Sequence, residues 1–334
     1  MASALEGIRD QTKDVLRSVI GPVGTEVALL DYPRYQNAGD ALIWLGQLHY
    51  LRTLGCRVRY QASQFGFDAR QLRKLHPSGP LLITGGGNLG DRWLPHQEMR
   101  EAVVATFPDR RIIQLPQSIN FSNEARRDAA RSVFEAHPDL TLLMRDQVSL
   151  AAARAAFPGV KTRFCPDAAY GVGPLSRVGR PDVDIMLLLR NDTEAVPRIL
   201  PTMEGVTVAR ADWRFPPGYG TLLWKMMLVP EALTRGLGTL GASVYGIVSA
   251  NAGAMARANV FFARRVLGRG RVVITDRLHA MVLASLSGIP VIALDNSYGK
   301  VSAIYREYGH ELSGTRFAAS MDEAVELARQ LLDQ

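Results

Sequence analysis

The sequence predicts an α/β protein made of two doubly wound, Rossmann-like domains that face a common cleft. Short aliphatic and β-branched runs alternate with helix-like segments along the 334 residues, as in parallel sheets joined by helices. A Gly- and Pro-rich stretch, residues 171–182, separates two such halves. The length also fits two domains of about 150 residues each. Polar residues follow strand after strand, and the carboxyl ends of parallel strands form the crevice where these sheets bind ligands.

We predict an N-terminal domain over residues 1–175, a linker over 176–182 and a C-terminal domain over 183–315. Residues 316–334 hold an amphipathic helix that is free to cross back to the first domain. Residues 219–240 and 251–267 are predicted to be further helices of the second half.

The first polar loop follows the predicted strand Glu26–Leu30 and contains Asn37-x-Gly39-Asp40. Glycine lets the backbone turn tightly, and Asp40 is well placed to cap the helix that begins near Ala41. A capped β-α turn alone explains this element as well as a ligand site does, because capping and ligand binding often use the same residues.

A second loop, Gly85-Gly86-Gly87-Asn88, follows the buried run at residues 81–84. Consecutive glycines let the backbone approach a ligand and expose N–H groups to it. The pattern lacks the spacing of a dinucleotide-binding loop, and no lysine of the P-loop type follows. A nicotinamide enzyme or a nucleoside triphosphatase is therefore not indicated, and a plain glycine-rich corner is the alternative.

Other polar side chains stand just past predicted strands. Because parallel strands end at one edge of their sheet, we expect these residues near the cleft. They are Gln117 and Ser118, Arg145, Asp167, and, in the second half, Arg190.

The unit from Asp276 to Lys300 reads as a helix between two buried strands. Arg277 and His279 fall in the first turn of that helix, beside its free N–H groups and the positive end of its dipole. Lys300 follows the next strand at the same edge. Together these residues suit a ligand that carries phosphate or carboxylate. The alternatives are a helix-capping role for His279 and a solvated Lys300.

Composition narrows the function classes. The net charge of +7 favours acidic partners, but no basic run or basic-aromatic alternation indicates nucleic acid. Two cysteines exclude a disulfide framework, and no cluster has metal-ligand spacing, so we predict no metal and no cofactor. The start does not resemble a signal peptide, and residues 219–248 are too interrupted to span a membrane. The prediction is a cytoplasmic protein, and peripheral membrane association stays open.

The ordered set of motifs resembles the polysaccharide pyruvyltransferase family, above all its members from bacterial exopolysaccharide gene clusters. The resemblance covers the chain from about Asp31 to Lys300. One departure is Asn120, where many members have glycine. The motifs are Asp31-Tyr32-Pro33, Asn37-x-Gly39-Asp40, Gly85-Gly86-Gly87-Asn88, Gln117-Ser118-Ile119, Arg145-Asp146-x-x-Ser149, Pro166-Asp167, Arg277-Leu278-His279 and Asp295-Asn296-Ser297-Tyr298-Gly299-Lys300.

The resemblance implies a fold like that of the B-type glycosyltransferases, with the acceptor on the first domain and the donor on the second. It implies transfer of the carboxyvinyl unit of phosphoenolpyruvate to a sugar, giving a pyruvate ketal and free phosphate. Relatives use the equivalents of Arg145, Arg277, His279 and Lys300 in donor binding or activity. The expected catalytic residues are His279 with Asp40 or Asp167. The expected binding residues are Arg145, Arg190, Arg277, Leu278, Lys300, Asn37, Gly86, Gly87, Asn88, Gln117 and Ser118.

The expected partners are phosphoenolpyruvate and a sugar acceptor, with a lipid-linked oligosaccharide, work at the cytoplasmic face of the inner membrane and a homo-oligomer left open. Two other functions compete. A sugar-nucleotide-dependent glycosyltransferase would present basic residues and a glycine loop at the same cleft. A non-catalytic subunit of a polysaccharide assembly complex is disfavoured, since the Arg-Leu-His motif and the lysine are both present.

Overall fold

The computed structural model describes residues 2–192, 195–199, 201, 203–234, 245–297 and 299–333. Its strands are β1 (Glu26–Leu30), β2 (Arg57–Ala62), β3 (Leu81–Ile83), β4 (Gly86–Gly90), β5 (Ile112–Asn120), β6 (Leu140–Met144), β7 (Lys161–Phe164), β8 (Val183–Leu188), β9 (Val208–Arg210), β10 (Gly270–Thr275), β11 (Val291–Ala293) and β12 (Thr315–Phe317). Its helices are α1 (Ala2–Ile20), α2 (Ala38–Thr53), α3 (Ala69–Leu75), α4 (Leu94–Thr106), α5 (Glu124–Glu135), α6 (Gln147–Ala156), α7 (Tyr219–Thr234), α8 (Tyr245–Leu267), α9 (Leu278–Leu286), α10 (Lys300–Glu307) and α11 (Met321–Leu332). Single 3₁₀ turns cover Ala168–Val172 and Gly309–Glu311.

The first domain is built on a parallel sheet in the order β2-β1-β3-β5-β6-β7, with β4 paired beside β5. Strands β3 and β6 are buried along their whole length, as expected for strands covered by helices on both faces. The second domain has a parallel sheet in the order β12-β11-β10-β8-β9. Two parallel sheets with helical crossovers confirm the predicted fold class.

The glycine-rich segment differs from the expected loop, because Gly86–Gly90 forms strand β4. It pairs in parallel with β5, with an irregularity in register between Gly86 and Leu89. Gly86 and Gly90 have φ angles of +138° and +133°, which residues with a Cβ rarely adopt. The glycines therefore allow a strand to continue past the edge where the neighbouring β3 stops.

The C-terminal helix α11, which the sequence left free to cross back, packs on the second domain. Its apolar face, including Met321, Val325 and Ala328, packs with Ile274 and Ile292 of the second sheet. That face completes the core of its own domain, which explains why it stays there. Strand β12 likewise belongs to the second sheet, although it extends past the boundary predicted at residue 315.

The predicted linker, residues 176–182, contains no helix or strand, and β8 begins directly after it. Helix α8 begins at Tyr245, earlier than predicted. Residues 235–240, predicted to be helical, lie outside the described residues. One of the contacts between the two domains comes from Tyr308, whose hydroxyl donates to the Arg145 carbonyl at 3.2 Å and accepts from the Asp167 N–H at 3.0 Å.

Candidate active site

A cavity of about 280 Å³ lies between the two domains. The ends of strands and the starts of helices from both sheets meet there, as parallel topology requires. It is lined by Tyr35, Asn37, Asp40, Gly87, Asn88, Trp93, His96, Arg145, Arg190, Asp192, Trp213, Arg277, Leu278, His279 and Lys300. The structure thus brings most of the sequence-predicted residues together.

Helix α9 supplies the second-domain wall of this cavity. Arg277 is its N-cap residue, so its side chain projects from the helix start beside unbonded N–H groups. The guanidinium lies 5.4 Å from the ring centre of Trp213 and 3.8 Å from Asp212. Burial lowers the pKa of Arg277 from its ordinary value, but an arginine remains charged at neutral pH. The site therefore holds a poorly hydrated cation that favours an anionic ligand.

His279, two residues after Arg277, is held by a buried ion pair from the first domain. Asp167 accepts from Arg145 Nη1 at 2.7 Å and from His279 Nε2 at 3.3 Å, both on Oδ2. Because a carboxylate only accepts hydrogen bonds, a bond to Asp167 requires the tautomer with its proton on Nε2, and Arg145 Nη1 lies 3.5 Å from the same nitrogen. Arg145 Nε in turn donates to Ser118 Oγ at 2.8 Å, which fixes the guanidinium.

Asp167 itself is not among the residues that line the cavity, and its side chain is 1% exposed. Burial raises its pKa, but the charges of Arg145 and His279 outweigh burial and hold the pKa well below the ordinary range. A buried, strongly acidic carboxylate is poorly placed to take a proton from a substrate hydroxyl. The geometry favours a positioning role for Asp167 over the predicted role as base.

Asp40, the other predicted base, does line the cavity, at the start of α2. Its Oδ2 accepts from Tyr35 O–H at 2.8 Å and from Asn37 Nδ2 at 2.7 Å. Asn37, and not Asp40 as predicted, caps α2, because the helix begins at Ala38 and Asn37 Oδ1 accepts from the Gly39 N–H at 2.9 Å. The motif therefore both caps the helix and orients the carboxylate.

The structure gives a second explanation for glycine at position 39, which is the close approach of a side chain from the second domain. A Cβ at residue 39 would lie 2.8 Å from His279 Nδ1 and 3.0 Å from His279 Cβ. Gly87 is similar, because a Cβ there would lie 2.6 Å from Lys300 Nζ. Two glycines of the first domain thus make room for the two functional side chains of the second.

Three predicted binding residues lie behind the cavity wall and do not line it. Gln117 is fully buried, and its Nε2 donates to Asn88 Oδ1 at 2.7 Å. Gly86 approaches Asp40 and Gln117 from β4. Ser118 bonds Arg145 and lines a neighbouring cavity of about 320 Å³, which shares Gly87 and Lys300 with the first.

Arg190 lines the cavity from the end of β8, as predicted, and Leu278 adds apolar surface. The Arg190 guanidinium pairs with Asp192 at 2.8 Å. Its backbone N–H donates to Asp276 Oδ1, also at 2.8 Å, which ties the end of β8 to the start of the α9 unit.

Sequence reasoning missed a second histidine in the cavity. His96, in the first turn of α4, has its Nδ1 2.8 Å from Asp31 Oδ2. Burial alone would lower the pKa of His96, but the hydrogen bond and charge of Asp31 raise it above the ordinary value of 6.5. Asp31 has a φ of +67°, a left-handed conformation that aims its carboxylate. No motif marks His96, and Asp31 carried only the family resemblance.

Trp93 and Trp213 also line the cavity, and neither was predicted to bind.

Within the described ranges, no three His, Cys, Asp or Glu side chains are grouped as a metal would need, and the expected absence of a metal stays a prediction. Among the described helices, none has the length and apolar character needed to cross a membrane.

Fold and cavity together define a two-domain α/β protein with a cationic, histidine-containing cleft between Rossmann-like sheets. The family model for polysaccharide pyruvyl transferases matches residues 37–207 and 263–298, and the chain belongs to that family. Pyruvyl transfer in polysaccharide biosynthesis is the role that this family supports, and the protein is accordingly a transferase.

Curated relatives and a solved structure agree with this assignment. A Bacillus subtilis protein assigned as a pyruvyl transferase, EpsO, is 29% identical over 88% of this chain and 89% of its own length. Pyruvyl transferase 1 of Schizosaccharomyces pombe is 29% identical over 90% of this chain and 75% of its own. A functionally uncharacterised protein of Klebsiella pneumoniae shares the fold, with a TM-score of 0.60 and 16% identity over 94% of this chain and 99% of its own.

Proposed function

We propose that the protein transfers the pyruvyl unit of phosphoenolpyruvate to two hydroxyls of a sugar, forms a pyruvate ketal and releases phosphate. The observation that carries this proposal is the convergence of Arg145, Arg190, Arg277 and Lys300 on one cavity with the start of α9. Phosphoenolpyruvate presents a carboxylate and a phosphate, and arginine suits the planar recognition of such oxyanions.

The cations stand on separate elements, which suits a ligand with two anionic groups. Arg277 belongs to the start of α9 and Lys300 to the start of α10, while Arg145 follows β6 of the other domain. We assign the donor to this set, with no cofactor and no metal. Relatives that bear the name pyruvyl transferase support transfer of a pyruvyl group.

The proposed chemistry needs one proton donor and one proton acceptor. The methylene carbon of the donor takes a proton from His279, positive charge develops at C2, and a sugar hydroxyl attacks there while Asp40 accepts its proton. The bond from C2 to the phosphate oxygen then breaks, and a second hydroxyl attacks C2. The two hydroxyl groups lose two protons in all. One replaces the proton that the methyl group gained, and the other leaves on the released phosphate.

Asp167 and Arg145 position His279 in this scheme. The Asp167 contact with Nε2 at 3.3 Å keeps the ring oriented. We place the acceptor, a sugar of an exopolysaccharide or of its lipid-linked precursor, on the first-domain side near Asp40 and Trp93, with the protein working at the cytoplasmic face of the inner membrane.

The test is calorimetric titration with phosphoenolpyruvate beside uridine and guanosine diphosphate sugars. We expect saturable binding of phosphoenolpyruvate only, weakened about 10- to 100-fold in Arg277→Ala, because a charged hydrogen-bonding group is lost. Arg163→Ala, at an exposed arginine of β7 outside the cavity, is the matched control and should bind as the wild type does.

Binding of a sugar nucleotide in place of phosphoenolpyruvate would overturn the donor and favour a glycosyltransferase. With the donor established, phosphate release that depends on an added sugar acceptor distinguishes ketal transfer from simple hydrolysis. Release at the same rate without any acceptor would contradict the transfer step.

A further inference from the structure

Helix α7 presents an apolar stripe to solvent. Tyr219, Leu222, Met226 and Val229 recur three or four residues apart and are between 48% and 64% exposed. The other side of the helix, which includes Trp224, is buried against Phe215 and Met255. The stripe therefore adds nothing to the core, and four large apolar side chains in a row on one helix face indicate an interaction surface.

Helix α8 packs beside α7 in the antiparallel direction. Asn251 Nδ2 donates to the Met227 carbonyl, and at the other end the rings of Phe215 and Phe262 are 4.7 Å apart. Ile247 and Phe261 of α8 are 64% and 46% exposed, one near each end of the pair. Both helices thus expose large apolar side chains to solvent.

The charges on these helices have one sign. Lys225, Arg257 and Arg265 are exposed, whereas Glu231 is the one acidic residue in the sequence between Asp212 and Asp276. Glu231 is buried and pairs with Arg34 at 2.6 Å. Apolar side chains flanked by lysine and arginine, with no exposed carboxylate, are typical of helices that lie in the interface of an anionic bilayer.

We propose that the α7 stripe, with the adjoining surface of α8, docks on a membrane that carries anionic phospholipid. A second copy of the chain fits this face less well, because a two-fold interface would bring the cations of both copies together without carboxylates to pair them. Tyr219 follows Trp213, a cavity-lining residue, by six positions. Docking through α7 would hold the cavity close to the bilayer surface, and it does not depend on which donor the cavity takes.

The experiment is co-sedimentation of the full chain with vesicles of phosphatidylcholine containing phosphatidylglycerol, and with vesicles of phosphatidylcholine alone. The wild type should bind the anionic vesicles, and added salt should weaken the binding. The double variant Leu222→Glu/Met226→Glu should bind at least about tenfold more weakly, because it removes apolar burial and adds repulsion. Val23→Glu/Ile199→Glu, at sites 82% and 89% exposed elsewhere, is the matched control and should bind normally.

Three results would overturn the inference: no binding of the wild type to anionic vesicles, equal binding to neutral ones, or unchanged binding of the α7 variant. Sedimentation velocity provides a further arm. If the wild type is a dimer that Leu222→Glu/Met226→Glu dissociates, the face belongs to a second copy. Thermal unfolding equal to that of the wild type would show that the variant is folded, since both substituted side chains face solvent.

Discussion

Two histidines line the central cavity, and each is backed by a buried aspartate, yet the two pairs differ in what else the aspartate touches. Asp31 serves His96 within the first domain. Asp167 serves His279 across the domain boundary and also pairs with Arg145. Arg145 partly neutralises the Asp167 carboxylate. Asp31 thus raises the pKa of His96, whereas Asp167 holds His279 in place and joins the two domains.

The largest expected effect separates the two carboxylates. Asp167→Asn leaves the guanidinium of Arg145 buried without its counter-charge, so the free energy of unfolding should fall by about 3–5 kcal/mol. Asp31→Asn should cost only about 1 kcal/mol, because His96 can become neutral and asparagine tolerates the left-handed backbone. Urea denaturation of both variants measures the difference. Equal losses would mean that the two pairs are equivalent.

The second effect concerns how His279 is held from the other side. Gly39→Ala places a Cβ 2.8 Å from His279 Nδ1, so the ring must shift, and turnover should fall about 100-fold. Gly7→Ala in α1 meets no atom within 4 Å and is the control. It should leave turnover unchanged and stabilise the protein by about 0.5–1 kcal/mol. Normal turnover in Gly39→Ala would show that the ring has room to move without consequence.

A third, smaller effect concerns His96 and donor binding. Its raised pKa keeps the ring protonated above pH 6.5, so phosphoenolpyruvate should bind more weakly as the pH rises through the folded-state pKa. His96→Gln should bind about tenfold more weakly at pH values below the folded-state pKa and lose that pH dependence, because one charged donor is absent. Donor titrations across this range provide the measurement. A variant with the wild-type pH profile would place the titrating group elsewhere.

The smallest effect is the change of folding stability with pH. Rising pH removes the stabilisation that His96 provides, whereas falling pH removes the stabilisation that Asp167 provides. The raised pKa of His96 means that its stabilisation is complete below 6.5 and is lost as the pH rises through the folded-state value. The lowered pKa of Asp167 gives stabilisation that is present above 3.8 and is lost as the pH falls. The difference in unfolding free energy between wild type and His96→Gln should shrink, by less than about 1 kcal/mol, toward alkaline pH. A constant difference would contradict the linkage.

Sequence reasoning named His279 and Asp167 as site residues but not as a pair, and it missed His96, for physical reasons. Arg277 and His279 were recognisable because a helix start after a buried strand presents free N–H groups and a positive dipole end to an anion. Asp31 and His96 lie on separate elements with no shared spacing, so only the folded chain brings them together. The glycines were noticed, but the reason for Gly39 and Gly87 lies in side chains of the other domain.

The same distinction holds for the fold. Alternating strand and helix patterns predicted two parallel sheets, because local periodicity encodes them. Strand β4 was missed because glycine disfavours strands in general, and its pairing with β5 is a tertiary contact. The sequence left the placement of α11 open, because amphipathicity shows that a helix has an apolar face but does not show which sheet that face covers.

The contacts of Tyr308 and His279 have a consequence for turnover. Both side chains come from the second domain, and both bond to the segment of the first domain that holds Arg145 and Asp167. Any rotation that parts the domains far enough to admit a large acceptor must break these bonds together, which separates the histidine from its carboxylate. Under the proposed mechanism, an open form would hold His279 apart from Asp167, and closure around the substrates would restore the pair.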